Sequence, residues 1–107
     1  MWNMEVREMV KTFPEWKNAV IKESEKLRDV RDYLNDEGRA RLRAFSLLAD
    51  LAHWSDNASE MWDFLTDTEN LDASEQRTLR PAGNEWNGHL AGAISRLKTI
   101  RKNELML

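Results

Sequence analysis

The clearest helical pattern begins at Thr12, and residues 12–34 read TFPEWKNAVIKESEKLRDVRDYL. Thr12 and Glu15 have the spacing of a capping box, and Pro14 lies in the first turn, where a missing N–H costs nothing. Apolar residues then recur three, four and seven positions apart, at Trp16, Val20, Leu27, Val30 and Leu34. This spacing predicts an amphipathic helix, which is the most secure element of the chain.

Helical spacing of apolar residues also appears on both sides of this segment. A first short helix is predicted to end before Pro14 and to carry Met4, Val6, Met9, Val10 and Phe13 on one face. Residues 35–38 have the composition of a turn, and Asp36 is an alternative cap for the helix that follows. That helix repeats apolar residues at Leu42, Phe45, Leu48, Ala49 and Ala52.

The second half of the chain predicts three further helices. Asn57 and Glu60 form a second capping box, which opens a short helix that we expect to end near Asp67. Another short helix starts at Asp72 and ends with Leu79 in the core. The last helix, starting at Pro81 or Asn84, carries apolar residues at Trp86, Leu90, Ala93, Ile94, Leu97, Ile100 and Leu105.

Two glycines lie four residues apart near the start of this last helix, at Gly88 and Gly92. Each glycine inside a helix costs about 1 kcal/mol relative to alanine. We therefore expect another group to approach the helix closely here. One alternative is a bulky aromatic side chain such as Trp16 or Trp54. The other is a groove or a self-association face, where a second helix can approach the small residues.

These patterns predict an all-α fold, with residues 1–107 forming a single helical domain. A chain of this length is suited to one core, and we expect a compact bundle of three longer and two or three short helices. Only four Gly and two Pro occur, and β-branched residues do not alternate, so strands are not predicted. Five Trp and 41% hydrophobic residues are untypical of a disordered chain.

Several classes of chemistry have no residues to support them. The chain has no Cys, which excludes disulfides, thiolate catalysis and Cys-based zinc sites. His53 and His89 lie outside metal-ligand patterns, and no catalytic motif can be assembled, so we expect no metal, no cofactor and no enzymatic activity. No apolar run is long enough to span a bilayer and no leader pattern precedes the first helix, so we expect a cytoplasmic protein.

The charge of the chain is strongly segregated. From Ala44 to Gln76, thirty-three residues contain no Lys or Arg and eight carboxylates, whereas residues 1–43 carry ten cations against nine anions and residues 77–107 carry six against two. The net charge of −3 hides this pattern. Segregated charge selects binding partners more than it selects folds.

Two interpretations of the acidic segment remain open. Its carboxylates could pair internally with the basic last helix, or they could dock on the basic surface of another protein, with an exposed Trp as an anchor. The residues predicted for docking are Asp56, Glu60, Asp63, Asp67, Glu69, Asp72, Trp54 and Trp62. Both a monomer and a homodimer are compatible with the sequence.

A second hypothesis places direct nucleic-acid binding on the basic residues. Its candidates are Arg39, Arg41, Arg43, Arg96, Arg101 and Lys102. Cations at the start of a helix oppose the helix dipole, so the three arginines of residues 39–43 need a partner, either nearby carboxylates or an external group. Interleaved acidic residues dilute this cluster, and a pI near 5.4 is low for a dedicated DNA-binding protein.

A cysteine-free, acidic, helical chain of about a hundred residues, with a negative patch from Asp50 to Glu75 and no active-site motif, resembles small phage-borne inhibitors, notably anti-CRISPR proteins. The resemblance is one of type, extends over the whole chain and supplies no functional residue. It implies a stoichiometric blocker that occupies a surface of a CRISPR effector or its nuclease and stops DNA binding or nuclease recruitment.

Overall fold

The structure is a computed structural model that describes residues 10–67, 71–79 and 88–106. These residues form five α-helices and one 3-10 turn: α1 (Phe13–Asp29), the turn (Arg31–Tyr33), α2 (Asp36–His53), α3 (Ala58–Thr66), α4 (Ala73–Leu79) and α5 (Ala91–Leu105). The predicted all-α fold is confirmed. The predicted first helix and the start of the predicted last helix, including Trp86, lie largely outside the described residues.

Helix α1 begins as predicted and ends earlier than predicted. The Thr12 hydroxyl accepts from the Glu15 N–H at 3.4 Å and donates to the Glu15 carboxylate at 3.0 Å. The helix ends at Asp29, and Val30, which was expected on the apolar stripe, is exposed. The buried residues of α1 stop at Ser24, so the following turns bury too little apolar surface to extend the helix.

Helix α2 is capped by Asn35 rather than by Asp36. The Asn35 side-chain oxygen accepts from the Gly38 N–H at 2.9 Å, and Asp36 becomes the first helical residue. Asp36 and Glu37 thus lie in the first turn, where carboxylates interact favourably with the helix dipole. The apolar face of the helix lies in the core as predicted, with Phe45 and Leu48 fully buried.

The caps predicted for α3 and α4 are confirmed. The Asn57 side chain accepts from the Glu60 N–H at 2.9 Å, and α3 ends with Asp67 as its C-cap. The Asp72 carboxylate accepts from the Glu75 N–H at 2.8 Å, while the Glu75 carboxylate accepts from the Asp72 N–H at 3.1 Å. Leu79, at the end of α4, is fully buried.

Helix α5 begins at Ala91, later than either predicted start. Residues 88–90 form a turn, and Leu90 at the N-cap position has no side-chain oxygen to cap the helix. Among the described residues, a Cβ on Gly88 would meet no atom within 4 Å, so the close approach expected at Gly88 is not seen there. Leu105 ends the helix but is exposed, unlike the other described members of the predicted stripe, which are buried: Leu90, Ala93, Ile94, Leu97 and Ile100.

The bundle is organised around α1, which packs against α2 and α5, while α3 packs on α5 and α4 on α2. Trp16 is fully buried at the centre of this arrangement, where its indole N–H donates to the Ala93 carbonyl at 2.9 Å. The Cα radius of gyration is 13.3 Å, close to the ~13 Å of a folded domain of about 100 residues. No helix among the described residues combines the length and apolarity needed to cross a bilayer.

Candidate acidic docking surface

The connection between α2 and α3 is held firmly by hydrogen bonds. Ser55 is buried, and its hydroxyl donates to the Leu51 carbonyl at 2.9 Å and lies 3.6 Å from the Met61 sulfur. The Lys17 ammonium of α1 donates to the carbonyls of His53 at 3.5 Å and Ser55 at 3.3 Å. These bonds fix the backbone on both sides of Trp54.

Trp54 projects from this fixed connection into solvent. The residue is 78% exposed, although Trp is among the side chains that gain most from burial. The neighbouring His53 and Asp56 are also exposed. One Trp of the acidic segment is therefore exposed beside carboxylates, the arrangement that the docking hypothesis requires.

Four carboxylates lie in α3 or directly beside its ends, and we name them the acidic ridge: Asp56, Glu60, Asp63 and Asp67. Glu60 is half-buried and the other three are exposed. Successive members are four, three and four residues apart, so the helical members lie on one face. The opposite face carries the buried Ala58, Met61 and Leu65. The Glu60 carboxylate accepts from the Asp56 N–H at 3.2 Å, which brings the first two members together.

The acidic ridge lowers the stability of α3 at its C-terminal end. The last turn of the helix contains Asp63 and no basic residue, and the C-cap is Asp67. A carboxylate near a helix C-terminus opposes the helix dipole by about 0.3 to 1 kcal/mol, and like charges three or four residues apart add a smaller penalty. The position of Asp63 is therefore not explained by the stability of the helix, whereas Glu60 lies in the first turn, where a carboxylate is favourable.

Two cations of α5 make cation–π contacts with an aromatic ring of α3. Lys98 Nζ lies 5.4 Å and Arg101 Cζ 5.8 Å from the centre of the half-buried Trp62 ring, within the range of cation–π contacts. In the described ranges, Asp56, Glu60 and Asp63 form no ion pair. The alternative interpretation was that the acidic segment pairs with the basic last helix. For these three carboxylates, no such pair is seen between described residues.

A carboxylate from α5 accepts hydrogen bonds from the free backbone N–H groups at the N-terminus of α3. Glu104 accepts from the N–H of Ala58 at 3.0 Å and from the N–H of Ser59 at 3.3 Å. Together with the Asn57 cap, these bonds occupy the first N–H groups of the helix, which also carry the positive end of its dipole. Glu104 is thus a structural carboxylate and not part of the acidic ridge.

The remaining residues predicted for docking do not join the acidic ridge. The Asp72 carboxylate caps α4, and the Trp62 ring lies between α3 and the cations of α5. Glu69 lies outside the described residues. Of the predicted set, Trp54, Asp56 and Asp63 are thus the exposed residues for which the described part of the chain gives no side-chain contact, and Glu60 combines a place in the ridge with its bond to the Asp56 N–H.

Half of the residues predicted for the alternative basic surface have internal contacts instead, and Arg41 is the most buried of them. Arg41 is only 8% exposed; its guanidinium contacts the Glu23 carboxylate at 2.8 Å and lies 5.0 Å from the centre of the Phe45 ring. Arg96 donates to the Val10 carbonyl, and Arg101 lies over the Trp62 ring. The exposed members of the predicted set are Arg39, Arg43 and Lys102.

Three residues hold the site in place, and the sequence gives little or no indication that they do. Lys17, Ser55 and Glu104 come from different parts of the chain, and only folding brings them to the start of α3. Glu104 did offer one signal, since it is the only carboxylate among the basic residues of the last helix. For Lys17 nothing in the local pattern predicts a bond to a carbonyl thirty-eight residues away.

Among the residues that the structure describes, no three His, Asp or Glu side chains come together as ligands for a metal ion. What the arrangement offers chemically is a fixed row of negative charge with one exposed indole at its start. No protein-family model, curated protein or solved structure matches this chain.

Proposed function

We propose that this protein is a small binding protein that docks Trp54 and the acidic ridge on a basic surface of a nucleic-acid-handling protein and blocks that surface. The observation that carries the proposal is the row of ridge carboxylates, placed partly where they lower helix stability and starting beside an indole that is 78% exposed. Charge complementarity would speed the encounter, and a desolvated Trp would slow dissociation.

The partner class follows from the chemistry of the ridge. Proteins that hold nucleic acid do so with rows of Lys and Arg that contact phosphates, and a row of carboxylates is complementary to such a surface. A CRISPR effector or its nuclease is the partner that the resemblance to anti-CRISPR proteins implies. The proposal therefore predicts competition between this protein and nucleic acid for the partner.

The decisive variant reverses two exposed ridge charges, Asp56→Lys with Asp63→Lys. The affinity for the partner should fall by more than about tenfold, because two attractive contacts become repulsive. Stability should change little, because Lys is unfavourable near the helix N-terminus at residue 56 and favourable in the last turn at residue 63. The measurement is titration calorimetry with the partner recovered by affinity capture from the native host, alongside thermal unfolding.

The matched control is Glu25→Lys with Asp29→Lys on α1, which makes the same change in net charge on exposed residues. Asp29 lies twelve residues along α1 from Lys17, about 18 Å at the helical rise, so it is remote from the α2–α3 connection. The control should retain most of the affinity. Equal losses for both variants, or no loss for the ridge variant, would contradict the proposal.

Trp54→Ala is expected to weaken the complex by about 2 kcal/mol or more, the loss typical of an interface hot spot. The stability of the free protein should stay within about 0.5 kcal/mol, because the side chain is exposed before binding. Trp54→Phe should recover part of the affinity, since it restores an aromatic surface. Unchanged dissociation rates for Trp54→Ala would remove Trp54 from the interface.

A nucleic-acid-binding regulator remains the second candidate because Arg39, Arg43 and Lys102 are exposed. Its test is a gel shift at low salt with duplex and single-stranded DNA. The docking proposal expects no shift by the protein alone, whereas a salt-dependent shift that Arg39→Gln with Arg43→Gln abolishes would favour the regulator.

A further inference from the structure

A groove lies at the end of the bundle where the start of α1, the α2–α3 connection and the last turns of α5 meet. Its volume is about 290 Å³, close to the lower limit for small-molecule sites and suited to one long side chain. Phe13, Pro14 and Ile100 supply its apolar lining, and Asp56 and Asn103 contribute polar groups. Asp56 is also the first residue of the acidic ridge.

We infer that this groove receives an arginine side chain from the basic partner. The aliphatic stem of arginine would lie along Phe13, Pro14 and Ile100, and its guanidinium would meet the Asp56 carboxylate with two parallel hydrogen bonds. Arginine suits the groove better than lysine because its planar fork matches a carboxylate and its charge is more weakly hydrated. The inference rests on the proposed function, since it identifies the partner group that contacts one end of the ridge.

The charges around the groove favour a cation at Asp56. The Glu104 carboxylate also lines the groove but already accepts the Ala58 and Ser59 N–H groups, whereas the Asp56 side chain is exposed and pairs with no described cation. Among the described lining residues, Lys11 is the one whose positive charge would repel an arginine, and it is exposed. Its flexible stem lets the ammonium turn toward water.

The test uses the full chain and a defined probe, the peptide acetyl-Gly-Arg-Gly-amide, in an NMR titration of backbone amides. We expect saturable shifts at Phe13, Ile100 and Asn103. The same peptide with citrulline, an uncharged isostere of arginine, should bind at least about fivefold more weakly, because a charge-assisted hydrogen bond is roughly twice as strong as a neutral one.

Two matched variants locate the charge that is recognised. Asp56→Asn should weaken arginine-peptide binding by at least about fivefold, while Asp63→Asn, which removes the same charge from the ridge outside the groove, should leave it within about twofold. Lys11→Gln should tighten binding, because it removes the opposing charge. Equal binding of the two peptides, shifts confined to other residues or an unchanged affinity for Asp56→Asn would overturn the inference.

The outcome is independent of the docking experiment. If the arginine peptide fails to bind the groove while the ridge reversal still weakens the partner complex, the inference is wrong and the proposed function stands. If the peptide binds as expected while the ridge reversal leaves partner affinity unchanged, the groove recognises arginine and the proposed function is wrong.

Discussion

Replacing Trp16 with alanine is expected to remove about 3 to 5 kcal/mol from the free energy of unfolding, the largest effect of any single change considered for this chain. Trp16 is fully buried where α1 meets α5, and its ring lies 5.7 Å from that of Phe13 in a stacked arrangement. The substitution leaves a large cavity where these two helices pack against each other. It also removes the indole donor to the Ala93 carbonyl.

The measurement is urea unfolding followed by far-UV circular dichroism. Because a domain of this size is stable by only about 5 to 15 kcal/mol, Trp16→Ala should lose roughly a fifth or more of that free energy and unfold at a clearly lower urea concentration. Trp54→Ala is the matched control, with the same change at an exposed position. Trp16→Phe should lose less than Trp16→Ala, and a loss for Trp16→Ala no greater than that of the control would contradict the assigned core.

Replacing Arg41 with methionine is expected to cost about 3 kcal/mol, the lower end of the range for breaking a buried ion pair, because the Glu23 partner keeps some access to water. Arg41 Nε and Nη2 both donate to one oxygen of the Glu23 carboxylate, at 3.2 Å and 2.8 Å. The methionine retains packing on Phe45 but leaves the carboxylate between α1 and α2 without its cation. Chemical denaturation of the single variant measures this cost.

The double variant Glu23→Leu with Arg41→Met separates the two contributions to that cost. Removing both charges also removes the desolvated carboxylate, so the double variant should recover much of the stability that the single variant loses. Arg31→Met is the control, because the Arg31–Asp32 pair is long, at 3.9 Å, and exposed. If the losses in unfolding free energy of the two single variants simply add in the double variant, the pair does not hold α1 to α2. The same follows if Arg41→Met loses as little stability as the control.

Much of the fold could be predicted from the sequence because local signals control where helices begin. Thr12, Asn57 and Asp72 each have a side-chain oxygen that satisfies a free N–H three residues later, and all three caps form as predicted. Helix ends were less predictable. At Val30 the apolar spacing continues, but the side chain is exposed, and the helix ends at Asp29.

The docking surface was only partly predictable. The spacing of Asp56, Glu60, Asp63 and Asp67 follows from the helix that Asn57 opens, so the acidic ridge could be expected once that helix was predicted. The exposure of Trp54 could not, because Trp54 and Trp62 stand in similar acidic surroundings in the sequence. Their environments differ because Trp62 lies on α3 against the cations of α5, whereas Trp54 lies in the connection between α2 and α3.

The sequence by itself determined the helical class, the capped starts of the helices and the negative charge of one continuous segment. Tertiary structure alone decided which charges remain exposed: Arg41 and Glu23 are paired between helices, Glu104 caps α3, and Lys98 and Arg101 lie on Trp62. The physical reason is the separation along the chain over which each kind of interaction acts. Caps and helical periodicity act within a few residues, whereas pairing and burial depend on contacts between residues that are distant along the chain.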